Sequence, residues 1–339
     1  MIIVTNILNH PFDEGSKVSV FSIIQSYKKK HTCEIIDVNG NCELPFKVIK
    51  FRLNKLLFNY KFYGHVKYAS GKNVLYIPNS SITPATFVRA KLLNIFTSKN
   101  ISILSLQPIA YNIFNRFMIS MIRPKKVITQ SLRLANQLEG MGIKTSILPL
   151  GVDDKKFHER DCNKIKELRK KYSINLDQKI ILHVGHIKKN RNIKWFVKVK
   201  KCLPNINILI IGSTSTYQEK AIRCTLEGMG IIVIRDYIPL IEEIYQLADY
   251  YAFPVQNRKA AIETPLSVLE AMATNLPILT TRFGSLNETF KEDKYFRYIN
   301  SPEDIIAAIK KGFPDKCNNR EKIRPFTWEK IADKLHELI

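Results

Sequence analysis

The sequence lacks the marks of several large protein classes. No uninterrupted apolar run approaches the roughly 18–20 residues that a membrane-spanning helix needs, so no spanning helix is expected. Its six cysteines, at positions 33, 42, 162, 202, 224 and 317, form no Cys-x-x-Cys pair, and none has a histidine at zinc spacing. That argues against a structural metal and against a disulfide framework, and it fits a reducing, cytoplasmic setting. There is no low-complexity segment and no short-period repeat. The Gly-x-Gly-x-x-Gly fingerprint of dinucleotide oxidoreductases is missing, as is a Ser/His/Asp order of the hydrolase kind. No RNP-type aromatic motif, zinc finger or helix-turn-helix pattern appears either. The opening residues, Met1-Ile2-Ile3-Val4-Thr5-Asn6-Ile7, have neither a basic leader nor a long apolar core, and read as a first strand.

What the chain does have is size, an apolar complement of 45% and a large positive charge. At 339 residues it is long for one core, and two domains are the natural division. Lys and Arg number 53 against 30 Asp and Glu, a net +23, and the excess is uneven: residues 1–150 hold 20 basic against 6 acidic residues, and residues 151–339 hold 33 against 24. Such a field attracts polyanions, whether nucleic acid, anionic lipid or phosphorylated substrates, and charge alone does not choose among them.

The pattern along the chain is α/β. An apolar strand at 2–7, a loop through Gly15, a helical stretch at 18–30 and a strand at 33–38 make a β-loop-α-β opening. Further strands are expected at 74–77, 101–106 and 127–129, with helices at 86–96 and 132–138. Leu148-Pro149-Leu150-Gly151-Val152-Asp153 punctuates the chain, dividing domains at 1–150 and 151–339. After a charged helical segment at 161–174, a second series of strands follows at 179–185, 206–211, 231–234, 250–253 and 277–280. Alternation of this kind predicts parallel sheets covered on both faces, with the ligand in the cleft between two doubly wound domains.

The most informative stretch is Glu263 to Ala273, Glu-Thr-Pro-Leu-Ser-Val-Leu-Glu-Ala-Met-Ala. It follows the strand-like Tyr250-Tyr251-Ala252-Phe253-Pro254 and enters a helix through Thr264, Pro265 and Ser267. A helix N-terminus offers free backbone N–H groups and a positive dipole end, so anions bind there. Pro265 suits the first turn because its missing N–H costs nothing there. Glu263 stands just ahead of that anion site, and Glu270 two turns inside the helix. Carboxylates are poor phosphate ligands but good acceptors for sugar hydroxyls, so the pairing points to a ligand with both phosphate and sugar, such as a nucleotide sugar. An ordinary capped helix with two surface glutamates shows the same pattern.

Several segments line up, in order, with one family. Val127-Ile128-Thr129-Gln130-Ser131, then Ile147-Leu148-Pro149-Leu150-Gly151-Val152-Asp153 with Phe157, resembles the strand-and-hinge signature of retaining glycosyltransferases of family 4, the glycosyl transferases group 1. Val184-Gly185-His186 with Arg191 resembles that family's Val-Gly-Arg…Lys loop. Leu209-Ile210-Ile211-Gly212, Leu247-Ala248-Asp249 through Pro254, and Pro265 through Ala273 are similar to further landmarks, and Phe326-Thr327-Trp328-Glu329-Lys330-Ile331-Ala332 to its closing helix. The resemblance runs over residues 127–335; over 1–126 only the first strand, the Gly15 loop and the general layout agree. It implies a GT-B fold, two Rossmann-like doubly wound domains facing across a cleft, with the last helix (326–339) packing back on the N-terminal domain. It also implies a nucleoside diphosphate sugar as donor, held mostly by the C-terminal domain, and a glycan or lipid-linked acceptor at the N-terminal domain. No catalytic metal and no cofactor are implied.

Carried over residue by residue, the resemblance makes Glu270 the acceptor of the ribose hydroxyls and Glu263 the residue that holds the donor sugar and senses charge near its anomeric carbon. Thr264, Pro265, Leu266 and Ser267 meet the diphosphate, with Gly185 in the facing loop and Gly15 letting backbone approach from the N-terminal domain. Arg191 neutralises the leaving diphosphate. His186 lies beside the phosphates, either protonated or donating one neutral hydrogen bond. Each has a plainer reading: a surface glutamate, a loop acid, simple capping, a closed turn, or a solvated basic loop with Lys188, Lys189 and Lys194. Gln107-Pro108, at a strand exit, is either an acceptor contact or a turn. Two departures stand out. His186 and Arg191 occupy places where the family usually has Arg and Lys; Arg in place of Lys keeps the charge and adds a bidentate fork. Glu263 and Glu270 have six residues between them where the family usually has seven, and Ile262 holds the strict position.

Two segments mix bases with bulky apolar residues, 52–63 and 114–126. They read either as core helices with solvated lysines or as surfaces for an anionic membrane, with Phe58, Phe62 or Phe117 partly inserted. The leading reading is thus a cytoplasmic retaining glycosyltransferase, peripheral on the inner face of the cell membrane. The alternatives are a catalytically weakened sugar-nucleotide-binding homologue and, from charge alone, a nucleic-acid-binding protein.

Overall fold

Alternating strands and helices build two parallel sheets, each the centre of one compact unit. The computed structural model describes residues 1–38, 40, 43–53, 59–79, 81–107, 109–159, 161–172, 174–214 and 218–339. Unit 1 takes Met1–Gly151, Ala261–Thr264 and Trp328–Ile339; unit 2 takes Val152–Ala260 and Pro265–Thr327.

Unit 1 runs β1 (Ile2–Thr5), α1 (Gly15–Lys30), β2 (Glu34–Val38), β3 (Ile49–Phe51), α2 (Tyr60–Tyr68), β4 (Asn73–Ile77), α3 (Pro84–Thr97), β5 (Asn100–Leu104), α4 (Ile113–Ile122), β6 (Lys126–Thr129), α5 (Leu132–Glu139) and β7 (Thr145–Ile147). Its seven strands lie in the order β3-β2-β1-β4-β5-β6-β7, every adjacent pair parallel. The central strand shows why: Ile2, Ile3 and Val4 are all fully buried, the signature of a strand covered on both faces. Helices α2 to α5 pack on this sheet through a cluster that includes Ile2, Val4, Ile36, Phe62, Phe87 and Ile119.

Phe62 is therefore a core residue, not a membrane-facing one: α2 turns it inward and leaves Tyr60 outside. Residues 54–58 of the same basic-aromatic segment, Phe58 among them, lie outside the described residues, as do Cys42 and Pro108.

One acid in this sheet stands apart. Asp37, next to last in β2, is fully buried, and among the described residues neither carboxylate oxygen has a hydrogen-bond partner. Burial pushes its carboxyl up to about 6, with Lys50 on the neighbouring strand pulling the other way. A carboxyl whose folded value is raised is protonated more readily folded than unfolded, so stability falls as pH climbs from about 4 through 6. Asp37→Asn is accordingly expected to raise unfolding free energy at pH 7 by about 1–3 kcal/mol. It should also flatten that pH slope in denaturant melts; an unchanged slope would show that Asp37 is satisfied in solution.

Unit 2 runs α6 (Cys162–Lys171), β8 (Ile180–Val184), α7 (Trp195–Cys202), β9 (Asn207–Ile211), α8 (Lys220–Glu227), β10 (Ile232–Ile234), α9 (Ile241–Leu247), β11 (Tyr250–Phe253), α10 (Leu266–Ala273), β12 (Ile278–Thr280), α11 (Leu286–Thr289), β13 (Phe296–Tyr298), α12 (Pro302–Lys311) and α13 (Asn319–Ile323). The strand order is β10-β9-β8-β11-β12-β13, again all parallel. Asp249, just ahead of β11, fixes α6 to the sheet, accepting from Arg169 at 2.6 Å, Lys179 at 2.9 Å and the Ile180 N–H at 2.8 Å.

The last helix, α14 (Trp328–Leu338), belongs to unit 1 and packs on α1. The Tyr27 hydroxyl meets His336 Nδ1 at 2.8 Å, the rings of His31 and His336 stack at 3.9 Å, and Lys30 pairs with Asp333 at 2.6 Å. The amide of Asn73 and the ammonium of Lys126 donate to the carbonyls of Ile339 and Leu338.

Candidate functional site

In an open parallel sheet, ligands gather beyond the carboxyl ends of the strands, and in unit 2 the sequence-flagged residues lie there. Strand β8 runs out at Val184 into Gly185, which takes a positive φ of 156°. A Cβ on Gly185 would stand 2.2 Å from Nη1 of Arg191 and 3.3 Å from Nε2 of His183, so only glycine lets the guanidinium come this close. Arg191 ends a short 3₁₀ turn, Lys189–Arg191, that folds back over the strand end.

The Arg191 side chain is buried, at 7% exposure. Its Nε and Nη2 both donate to the Ala260 carbonyl, at 3.0 and 2.7 Å, so the charge is met by a carbonyl dipole and not by a carboxylate. Burial lowers its pKa to about 10, with Tyr251 opposing. It still carries its proton at neutral pH, and a buried cation of this kind favours an incoming anion.

His183, which the sequence reading did not single out, completes this corner. It is fully buried, with Nδ1 2.8 Å from the Ala252 carbonyl and Nε2 without a partner. Burial drives its pKa down to about 3, the Ala252 carbonyl opposing and the nearby Arg191 charge adding to the drop. The imidazole is therefore neutral, its proton on Nδ1 donated to Ala252. His186 itself follows Gly185, half-buried.

Helix α10 supplies the second part. Pro265 is its N-cap residue, one position earlier than the first-turn place expected from sequence, and no side chain caps the turn. The helix start thus keeps backbone N–H groups for an anion. Ser267 bonds the phenol of Tyr251, whose hydroxyl also lies 3.5 Å from the Val184 carbonyl, linking the helix to the end of β8. One turn on, Glu270 accepts from the Tyr245 hydroxyl through Oε2 at 2.7 Å. Tyr245 is fully buried, packed edge-on against Phe157 and stacked on Tyr251. Burial pushes the Glu270 carboxyl up, while the Tyr245 bond and Lys156 hold it down. The phenol fixes one oxygen and leaves the carboxylate capacity to accept from a diol.

The remaining residues fall in unit 1. Gly15 opens α1, and a Cβ there would stand 3.1 Å from Cδ1 of Ile262. Glu263 donates its backbone N–H to the Leu106 carbonyl at 2.9 Å, and both Glu263 and Thr264 are buried. The four-residue segment Ala261–Thr264 is therefore part of unit 1, although the chain on either side of it belongs to unit 2. Gln107 bridges to Ser81. The structure thus gathers Gly185 and Arg191 in one place, Leu266, Ser267 and Glu270 on one helix, and Gly15 with the Ile262–Thr264 turn in the other unit. Among the described residues, no group of three or more His, Cys, Asp or Glu side chains is placed to hold a metal ion.

Known proteins share both the sequence pattern and the fold. Residues 164–327 match the family model for glycosyl transferases group 1. A sulfoquinovosyl transferase of Arabidopsis thaliana is 24% identical over 190 residues, 55% of this chain and 34% of its own length. The chain spans about a third to a half of the length of the curated relatives it matches. Among solved structures, sucrose-phosphate synthase from Thermosynechococcus elongatus superposes with a TM-score of 0.77 at 15% identity, covering 99% of this chain and 97% of that one. Anabaena HepE in complex with UDP-glucose gives 0.73 at 13% identity, covering 100% and 99%. At such identities the structural likeness speaks for the fold alone. Residues 164–327, nearly half the chain, are thus similar to the glycosyl transferases group 1 family, and the chain carries the two Rossmann-like domains of the GT-B fold.

Proposed function

We propose that the chain is a retaining, metal-independent glycosyltransferase that moves a sugar from a nucleoside diphosphate sugar to a hydroxyl of a glycan or lipid-linked acceptor. The observation that carries this is Arg191: a buried guanidinium, held by one carbonyl against Gly185, at the carboxyl end of a parallel sheet. Breaking the bond between sugar and phosphate builds negative charge on the diphosphate, and a fixed cation that meets no carboxylate among the described residues stabilises that charge. The uncapped start of α10 adds backbone N–H groups, Glu270 takes the ribose, and Glu263 takes the donor sugar. UDP-glucose in the Anabaena neighbour is consistent with this donor class. The reading extends to a cytoplasmic enzyme that meets its acceptor at the inner face of the cell membrane.

A donor screen tests it. Thermal stability is measured with UDP, GDP and ADP and with their sugars; a ligand at 100 times its Kd should add about 2.7 kcal/mol. Stabilisation by one nucleotide series is expected, and none by any would overturn the assignment. The second reading, a weakened homologue, has one observation in its favour: Ile262, at the position where the family's first glutamate usually stands, turns its side chain toward Gly15. Donor binding without turnover on any acceptor would favour it.

A further inference from the structure

Helix α4 presents an apolar face that no other described residue covers. Ile119 is buried and Met118 and Ile122 pack against the core, while Ile113, Phe114, Phe117 and Met121 point outward at 87%, 73%, 65% and 71% exposure. Phe114, Phe117 and Met121, spaced i, i+3 and i+7, form one stripe. The ten-residue helix is thus apolar on both sides, and its outer side meets solvent. Aromatic rings so exposed are costly in water and mark a contact surface.

The charge around the stripe says what that contact is. Arg116 lies within the helix, Arg123 and Lys125 follow it, and all three are exposed. From position 44 to position 138 the sequence holds 15 Lys and Arg and not one Asp or Glu. Helix α3, packed beside α4, adds the exposed Lys91, while its half-exposed Phe96 lies against Tyr63 of α2. A second copy of this chain would bring the same positive field against itself. A bulky apolar stripe framed by bases with no acid near them in sequence fits a surface that is oily inside and negative outside.

We propose that α4 is the element by which this chain docks on anionic phospholipid, with Phe114, Phe117 and Met121 entering the acyl boundary and Arg116, Arg123 and Lys125 lying among the headgroup phosphates. This deepens the membrane part of the reading above by naming the element and the lipid charge, and it rests on that reading only for the acceptor's whereabouts. Lys126 takes no part, since its single ammonium is bonded to the Leu338 carbonyl, whereas Arg123 spends only its Nε on the Ser120 carbonyl and keeps its two terminal nitrogens for phosphate. The mode is peripheral: among the described residues no helix is long and apolar enough to cross a membrane.

The test is co-sedimentation of the full chain with vesicles of phosphatidylcholine alone and of phosphatidylcholine mixed with phosphatidylglycerol. Binding is expected to the mixed vesicles, weakly or not at all to the neutral ones, and to fade at 1 M salt, where the Debye length is about 3 Å. Arg116→Gln, Arg123→Gln and Lys125→Gln should each weaken partitioning about five-fold. Phe114→Ser with Phe117→Ser and Met121→Ser should abolish it while the melting temperature holds, because those side chains are already exposed. A Phe117→Trp variant should shift its fluorescence to the blue on the mixed vesicles. No sedimentation at low salt, equal sedimentation with neutral vesicles, or a serine-variant-sensitive dimer in solution would each overturn the proposal. Stabilisation by nucleotide, read on the same variants, should be unchanged, so failure of the lipid claim and failure of the donor claim are told apart.

Discussion

Arg191→Ala is expected to lower kcat for sugar transfer about 10²–10³-fold, the loss typical when one fixed donor to a developing anion is removed, with a much smaller change in KM for the donor. The reason is where the charge appears. In the bound donor the diphosphate already carries negative charge, but it gains more as the sugar departs, so a cation aimed at it is worth more in the transition state than in the ground state. Arg191 is suited to this because its own fold does not neutralise it: both of its protein hydrogen bonds go to the Ala260 carbonyl. Arg191→Lys should recover part of the loss, since a point charge survives while the planar fork does not. Arg191→Met serves as the folding control, because replacing a buried unpaired cation with an apolar side chain of similar length need not cost stability. Steady-state kinetics with varied donor decide the matter. A raised KM with kcat intact would make Arg191 a ground-state contact.

Glu270→Ala should weaken nucleotide binding by about 1.5–3 kcal/mol, the range for hydrogen bonds to a charged group, or roughly 10- to 150-fold in Kd. Tyr245→Phe should cost less, because the phenol orients the carboxylate without touching the ligand. The two changes should be non-additive, since removing Glu270 leaves Tyr245 nothing to position. The pH dependence follows from the raised carboxyl of Glu270. A diol donates to the ionised form, so affinity should fall as pH drops through that raised value and the carboxyl protonates, and Glu270→Gln should be insensitive over the same range. Calorimetry across pH, with unchanged affinity in Glu270→Ala, would remove Glu270 from the site.

Much of this was legible in the sequence because parallel sheets write it plainly. Runs such as Ile180-Ile181-Leu182 and Ile208-Leu209-Ile210-Ile211 are apolar at every position, which only a strand buried on both faces requires. The edge strands β3, β7 and β13 are three residues each and half-exposed in places, and gave no such run. The donor-side motif was readable because Gly185, Pro265 and Glu270 are residue types with few structural substitutes. Tyr245 and His183 were not, since a tyrosine in a helix and a histidine in an apolar strand look like core until their polar atoms are placed. Nor did composition reveal that Ala261–Thr264 sits with unit 1: that depends on a backbone bond to Leu106, a partner over 150 positions away.

The packing of α14 on α1 has a consequence for how the protein is made. Unit 1 begins at the first residue, yet its last helix is translated only after the whole of Val152–Thr327. At about 5–20 residues per second, roughly 15–60 s pass between the end of α1 at Lys30 and the start of α14 at Trp328. Through that interval Tyr27 and Lys30 on α1 have no His336 or Asp333 to meet them. A stop codon or frameshift ahead of Trp328 would thus injure the unit whose strands precede unit 2 in the chain.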